Sequence, residues 1–163
     1  MVGCFVSGNC RLPNLERAWC DAAYWLHEAL AEPIDSISVA KLETALEVLL
    51  RAENTKGSTA RVLTVLRCYF GLQPDDPIAP NGTLTAKQFA ANLVRNRSCI
   101  LHGTWSTLNS RLSRNRESME AFVITVIRRT ALELAVYVAE TTPIDEIDAF
   151  LHWLEHRPTP KTA

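Results

Sequence analysis

Glycine is scarce, with 6 in 163 residues, and most of the 8 prolines cluster in a few places. Long stretches therefore run without a backbone breaker, which favours helices over many short strands. No apolar run approaches the roughly 20 residues that cross a bilayer, so neither a spanning segment nor a membrane partner is expected. The five cysteines, Cys4, Cys10, Cys20, Cys68 and Cys99, are odd in number and contain no Cys-x-x-Cys pair. That argues against a disulfide framework or a structural zinc site, and for reduced thiols in a cytoplasmic protein. Cys20, Cys68 and Cys99 lie among apolar residues and read as core-packing thiols. Met1–Arg11 lacks both a basic start and a continuous apolar stretch, so it does not read as a secretory leader. A glycine-rich phosphate loop and a His-Glu-x-x-His zinc motif are also missing. His152 and His156 stand four apart on an expected helix, but no third ligand accompanies them. No metal and no cofactor are expected.

What is present is ordinary in amount and uneven in arrangement. Hydrophobic residues make up 47% and charged ones 21%, an average globular composition in a chain long enough to bury one core. The net charge is −1, yet Lys87–Arg129 carries eight basic residues against only Glu117 and Glu120, a local net of +6. A basic middle in an acidic frame suggests a site for a polyanion, although solvated helix faces would look the same on charge alone.

Apolar spacing predicts five to six helices in one all-α domain over 13–156, with 1–12 as an extension and 157–163 as a flexible tail. The first helix runs from Pro13 through Leu15, Trp19, Ala22, Leu26 and Leu30. A second follows Asp35 or Ser36, and Thr55-Lys56-Gly57-Ser58 reads as a turn before a third helix that stops at Gly71. Residues 73–83 hold three prolines and an Asn-Gly and form a surface loop. Thr83 or Thr85 opens a fourth helix that Gly103 ends. Residues 104–116 are ambiguous. The longest apolar-periodic segment, about Glu117 to Ala139, is expected to be the central buried helix, and Pro143 to start a last one over Ile144–His156. Trp19, Trp25, Trp105 and Trp153 read as core or dimer-interface anchors.

Chemistry concentrates at residues 95–103. Arg95 and His102 are seven apart, within roughly 20° on a helical wheel. An arginine can bind two phosphate oxygens and stabilise developing negative charge, while a histidine can exchange protons near neutral pH. Spacing alone is equally satisfied by a surface Arg beside a histidine at a helix C-terminus.

Arg97-Ser98-Cys99-Ile100-Leu101-His102-Gly103 resembles the Arg-Ser-x-x-x-His-Gly motif of HEPN domains, in the form seen in the ApeA-like branch. Ala45-Leu46-Glu47-Val48-Leu49 resembles an Ala-Leu-Glu-x-Leu segment of an earlier helix in that group. The resemblance implies a HEPN-like helical bundle that forms a homodimer, with motif helices from both subunits lining a basic groove. It implies a metal-independent endoribonuclease of toxin–antitoxin or anti-phage defence, with RNA as substrate and an antitoxin or other regulatory protein as a further partner. The alternative under the same resemblance is a non-catalytic module that binds RNA, a nucleotide or a protein. By the motif, Arg97 and His102 are catalytic and Ser98 takes the polar position. Arg95-Asn96 also satisfies the broader spacing, but Ser98 and Gly103 complete the narrower form, which leaves Arg95 as a second phosphate contact. Glu47 would position the Arg or the His. Arg111, Arg114 and Arg116 would grip the RNA backbone, and Trp105 could stack on a base.

Overall fold

Pro13 stands at the first position of a helix, where its missing N–H costs nothing. The two backbone N–H groups that follow, of Asn14 and Leu15, donate to the Asp145 carboxylate at 2.8 and 2.9 Å. A side chain 130 residues away thus caps the first helix. The computed structural model describes residues 11–51, 55–79, 82–101, 110–140 and 142–157; side chains at 55–56, 96–101 and 110–115 lie outside that description.

Six helices are present among the described residues: α1 (Pro13–Leu30), α2 (Asp35–Leu50), α3 (Thr55–Phe70), α4 (Ala86–Leu101), α5 (Ser110–Glu140) and α6 (Ile147–His156). No strand occurs among those residues, and one isolated bridge, Pro77 to Thr85, closes a loop. The chain is an all-α bundle, as its apolar spacing predicts.

The centre is α2. It packs along α1 and also against α4, α5 and the start of α3. Ten of its sixteen residues are buried, Val39, Leu42, Leu46 and Leu49 among them. A helix apolar on nearly all sides has to sit inside. Each large aliphatic side chain buried there contributes about 1.5–3 kcal/mol relative to exposure. This corrects the expectation that the long segment after Glu117 is central. That segment lies in α5, which buries one stripe (Met119, Val123, Val126, Ile127, Leu134) and leaves Leu132 69% exposed.

Three boundaries differ from the sequence reading. α5 begins at Ser110, several residues before Glu117, because arginines are good helix formers and polar residues suit a solvated first stretch. α3 begins at Thr55, so Thr55–Ser58 is helix and not turn. Gly57 lies in its first turn, where N–H groups have no intrahelical acceptor and helix order is least demanding. α6 begins at Ile147, not Ile144; Asp145 faces the N-terminus of α1 instead, and the Ile144 N–H donates to the Tyr137 hydroxyl at 3.0 Å. α1 reaches Leu30 as expected, but Leu30 itself is exposed.

Gly71 stops α3 in the left-handed conformation, φ +70°, and its N–H donates to the Arg67 carbonyl at 3.0 Å. Trp19 donates its indole N–H to the Ile127 carbonyl at 2.9 Å, tying α1 to α5. Trp153 packs with Tyr137 and Phe150, and Trp25 sits edge-on to Tyr24. Cys20 and Cys68 are half-buried free thiols, both held above the ordinary thiol range, first by burial. Cys4, Cys10, Cys99, the 1–10 part of the extension and the tail beyond 157 lie outside the described residues or side chains.

Candidate functional site

The start of α4 is fixed by its own sequence. Thr85 and Gln88 form a reciprocal pair in which the Gln88 N–H donates to the Thr85 hydroxyl (3.2 Å) and the Thr85 N–H to the Gln88 side-chain oxygen (3.1 Å). This capping box satisfies two of the N–H groups that a helix start leaves open. The preceding loop folds back on the same point: Ile78 N–H to Leu84 carbonyl at 3.0 Å, and Ala86 N–H to Asp76 carbonyl at 2.9 Å. Held at this end, α4 packs through Ala86, Ala90 and Leu93 against α2 and α3. Small residues at Ala86 and Ala90 let the helices approach closely.

On α2, the stripe towards α4 is not wholly apolar. Glu43 is 2% exposed, and Glu47, one turn on, is half-buried. Both line a cavity of about 20 Å³ with Ser58 and Val62 of α3 and Leu93 and Val94 of α4. That space holds about one water molecule. Neither carboxylate is without a partner, and burying an ionised carboxylate would otherwise cost several kcal/mol. Leu93 and Val94 stand four residues, one helical turn, before Arg97 and Ser98 on the same continuous helix. The acid-lined cavity wall therefore ends one turn short of the motif arginine in helical register.

Arg95 lies on α4, exposed, and makes no ion pair among the described residues. Arg97 and Ser98 lie in the α4 backbone, but their side chains are outside the described set. His102, Gly103 and Trp105 fall outside the described residues, and Arg111 and Arg114 are placed only by backbone, in the first turns of α5.

Arg116 is occupied inside the fold. Its guanidinium bonds to Glu120 at 2.7 Å and to Asp35 at 3.0 Å, bridging α5 to the start of α2. Those two bonds, Glu120's first, hold its proton more tightly than usual. Arg129 is similarly engaged, donating to the Tyr69 carbonyl and lying 6.0 Å from the Phe70 ring centre. The basic segment is thus less available to a polyanion than its +6 suggests, since two of its eight cations serve packing. His152 and His156 stack with ring centres 4.1 Å apart on the exposed face of α6. Among the described residues no three His, Cys, Asp or Glu side chains gather in a metal-binding group. No described helix is long and apolar enough to cross a membrane.

Glu43 is the residue sequence reasoning passed over. It was half legible: Val39, Leu42, Leu46, Leu49 and Leu50 define the buried side of α2, and Glu43 falls within that arc at helical spacing. Glu47 drew attention through the motif, while the deeper carboxylate sits one turn earlier.

Fold and site together define a helical bundle in which a buried and a half-buried carboxylate, Glu43 and Glu47, pack against the helix that carries Arg97 and Ser98. The chain matches no protein-family model, no curated protein and no solved structure.

Proposed function

We propose that this protein is a metal-independent endoribonuclease of HEPN type, acting as a homodimer in toxin–antitoxin or anti-phage defence. The observation that carries the reading is the packing of α4, the helix bearing Arg97, against α2 at Glu43 and Glu47. A functional arginine needs a fixed setting, and a buried and a half-buried carboxylate packed against the turn of α4 that precedes it are costly residues for a purely structural wall.

In the reaction, His102 takes the proton of a ribose 2′-hydroxyl as that oxygen attacks the adjacent phosphorus. The P–O5′ bond breaks and the proton held by His102 passes to the departing O5′, leaving a 2′,3′-cyclic phosphate on one fragment and a 5′-hydroxyl on the other. Arg97 stabilises the charge that builds on the phosphoryl oxygens. The nucleophile comes from RNA itself, so this route calls for no metal, and DNA is not a substrate. Ser98 orients the motif, and Arg95, Arg111 and Arg114 add backbone contacts.

The test is cleavage of single-stranded RNA in EDTA. Wild-type protein produces cyclic-phosphate ends; His102→Ala and Arg97→Ala lose at least a hundredfold in rate while keeping the helical circular-dichroism signal. Wild-type protein that leaves RNA intact, dimeric by light scattering and correctly folded, sinks the catalytic reading.

A further inference from the structure

A second cavity, larger than the acid-lined one, opens between the 73–85 loop, α4 and α5. It measures about 200 Å³ and is walled by Leu84, Phe89, Leu93 and Met119, with Asn92 and Ser118 as its polar members. Drug-sized ligands occupy roughly 300–1,000 Å³, and a dry cavity of about 150 Å³ already takes benzene. The space therefore fits one ring system.

We propose that this cavity receives one unstacked base of single-stranded RNA, adenine best, a deepening that rests on the RNA reading above. Three features select that occupant. The apolar walls suit a flat ring, and the Asn92 amide offers a donor and an acceptor in one plane, the pattern that pairs with the N6 and N7 edge of adenine. Arg95 lies three residues beyond Asn92 and about 60° from it on the same helix face, exposed and free of any ion pair among the described residues. A base in the cavity would set its phosphate at the solvent side of α4, where Arg95 stands exposed. The loop wall is preformed, held by the Ile78–Leu84 and Gly82–Ala79 backbone bonds at 3.0 and 2.8 Å, so binding orders little new chain.

The experiment measures binding without cleavage. A labelled 2′-O-methyl oligoadenylate is compared by fluorescence anisotropy with the same backbone carrying abasic sites, on full-length wild type, Asn92→Leu and the cavity-filling Ser118→Phe. Asn92 and Ser118 are exposed, so both variants should fold, as a thermal melt would confirm. The base-bearing strand should bind wild type at least tenfold tighter than the abasic one, and both variants should erase that difference. Equal binding of the two strands overturns the proposal and leaves the nuclease reading intact if RNA is still cut. Discrimination that survives Asn92→Leu also overturns it. Adenosine monophosphate binding as tightly as the strand would make the occupant a free nucleotide, and overturn RNA as its source. Failure to bind either strand overturns the pocket and the RNA reading together.

Discussion

Tyr69 shows how one polar group is carried into the core. Its hydroxyl meets the Thr130 hydroxyl at 3.0 Å, and both residues are buried. Burial pushes the phenol well above its ordinary range, with the Thr130 bond opposing the shift. Removing one partner leaves the other unsatisfied, so Tyr69→Phe should cost about 1–2 kcal/mol at neutral pH, read by denaturant unfolding. The sign with pH follows from the raised value. The folded state favours the protonated phenol, so that stabilisation is complete below the unfolded value near 10 and is lost as pH rises beyond it. Tyr69→Phe should therefore flatten the alkaline fall of stability, and an unchanged alkaline limb would contradict the assignment. Glu43 is the residue whose substitution separates packing from positioning. Glu43→Gln keeps shape and hydrogen-bonding capacity but removes charge. It should lower RNA cleavage at least tenfold while the helical signal persists, with Glu43→Asp recovering part of the rate. An active Glu43→Gln protein would reduce the buried acid to a structural feature.

Among the elements, α1 and α4 are held by contrasting devices. α4 is capped from within by Thr85 and Gln88, whereas α1 is capped from across the fold by Asp145. Thr85→Ala should cost about 1 kcal/mol, as a lost N-cap does. Asp145→Ala should cost at least as much, because it uncaps α1 and loosens the segment before α6 together. Chemical denaturation reads both, and an Asp145→Ala protein as stable as wild type would show that water replaces the carboxylate. The same contrast explains what the sequence could disclose. The Thr-x-x-Gln cap, Gly71 and the apolar periods of α1, α2 and α3 are local, and they were legible. Asp145 capping α1 depends on a contact between distant segments and leaves no local pattern, whereas the central place of α2 had a local sign, its nearly all-round apolarity, which the greater length of the α5 period outweighed. At the site, the motif helix was legible and the buried Glu43 only half so, because an acid in an apolar arc is normally discounted as surface.

Across the molecule, charge is where sequence and structure part most usefully. Counted along the chain, Lys87–Arg129 is a basic stretch of net +6. In the fold, Arg116 is clamped by Asp35 and Glu120, while Arg95 stands exposed with no ion pair among the described residues. Only a cation that meets phosphate releases counterions, and each such contact adds about 0.7 to the logarithmic salt slope of single-strand binding. The two arginines should therefore separate in one titration of RNA affinity against salt. Arg95→Ala should shallow the slope by about one contact and leave the melting temperature within a few degrees of wild type. Arg116→Ala should leave the slope alone and lower stability, because it strands Asp35 and Glu120 and unties α5 from the start of α2. The reverse outcome, a shallower slope from Arg116→Ala alone, would mean that the guanidinium leaves its carboxylates for RNA. The polyanion surface would then have to be drawn from the first turns of α5 and not from the exposed face of α4.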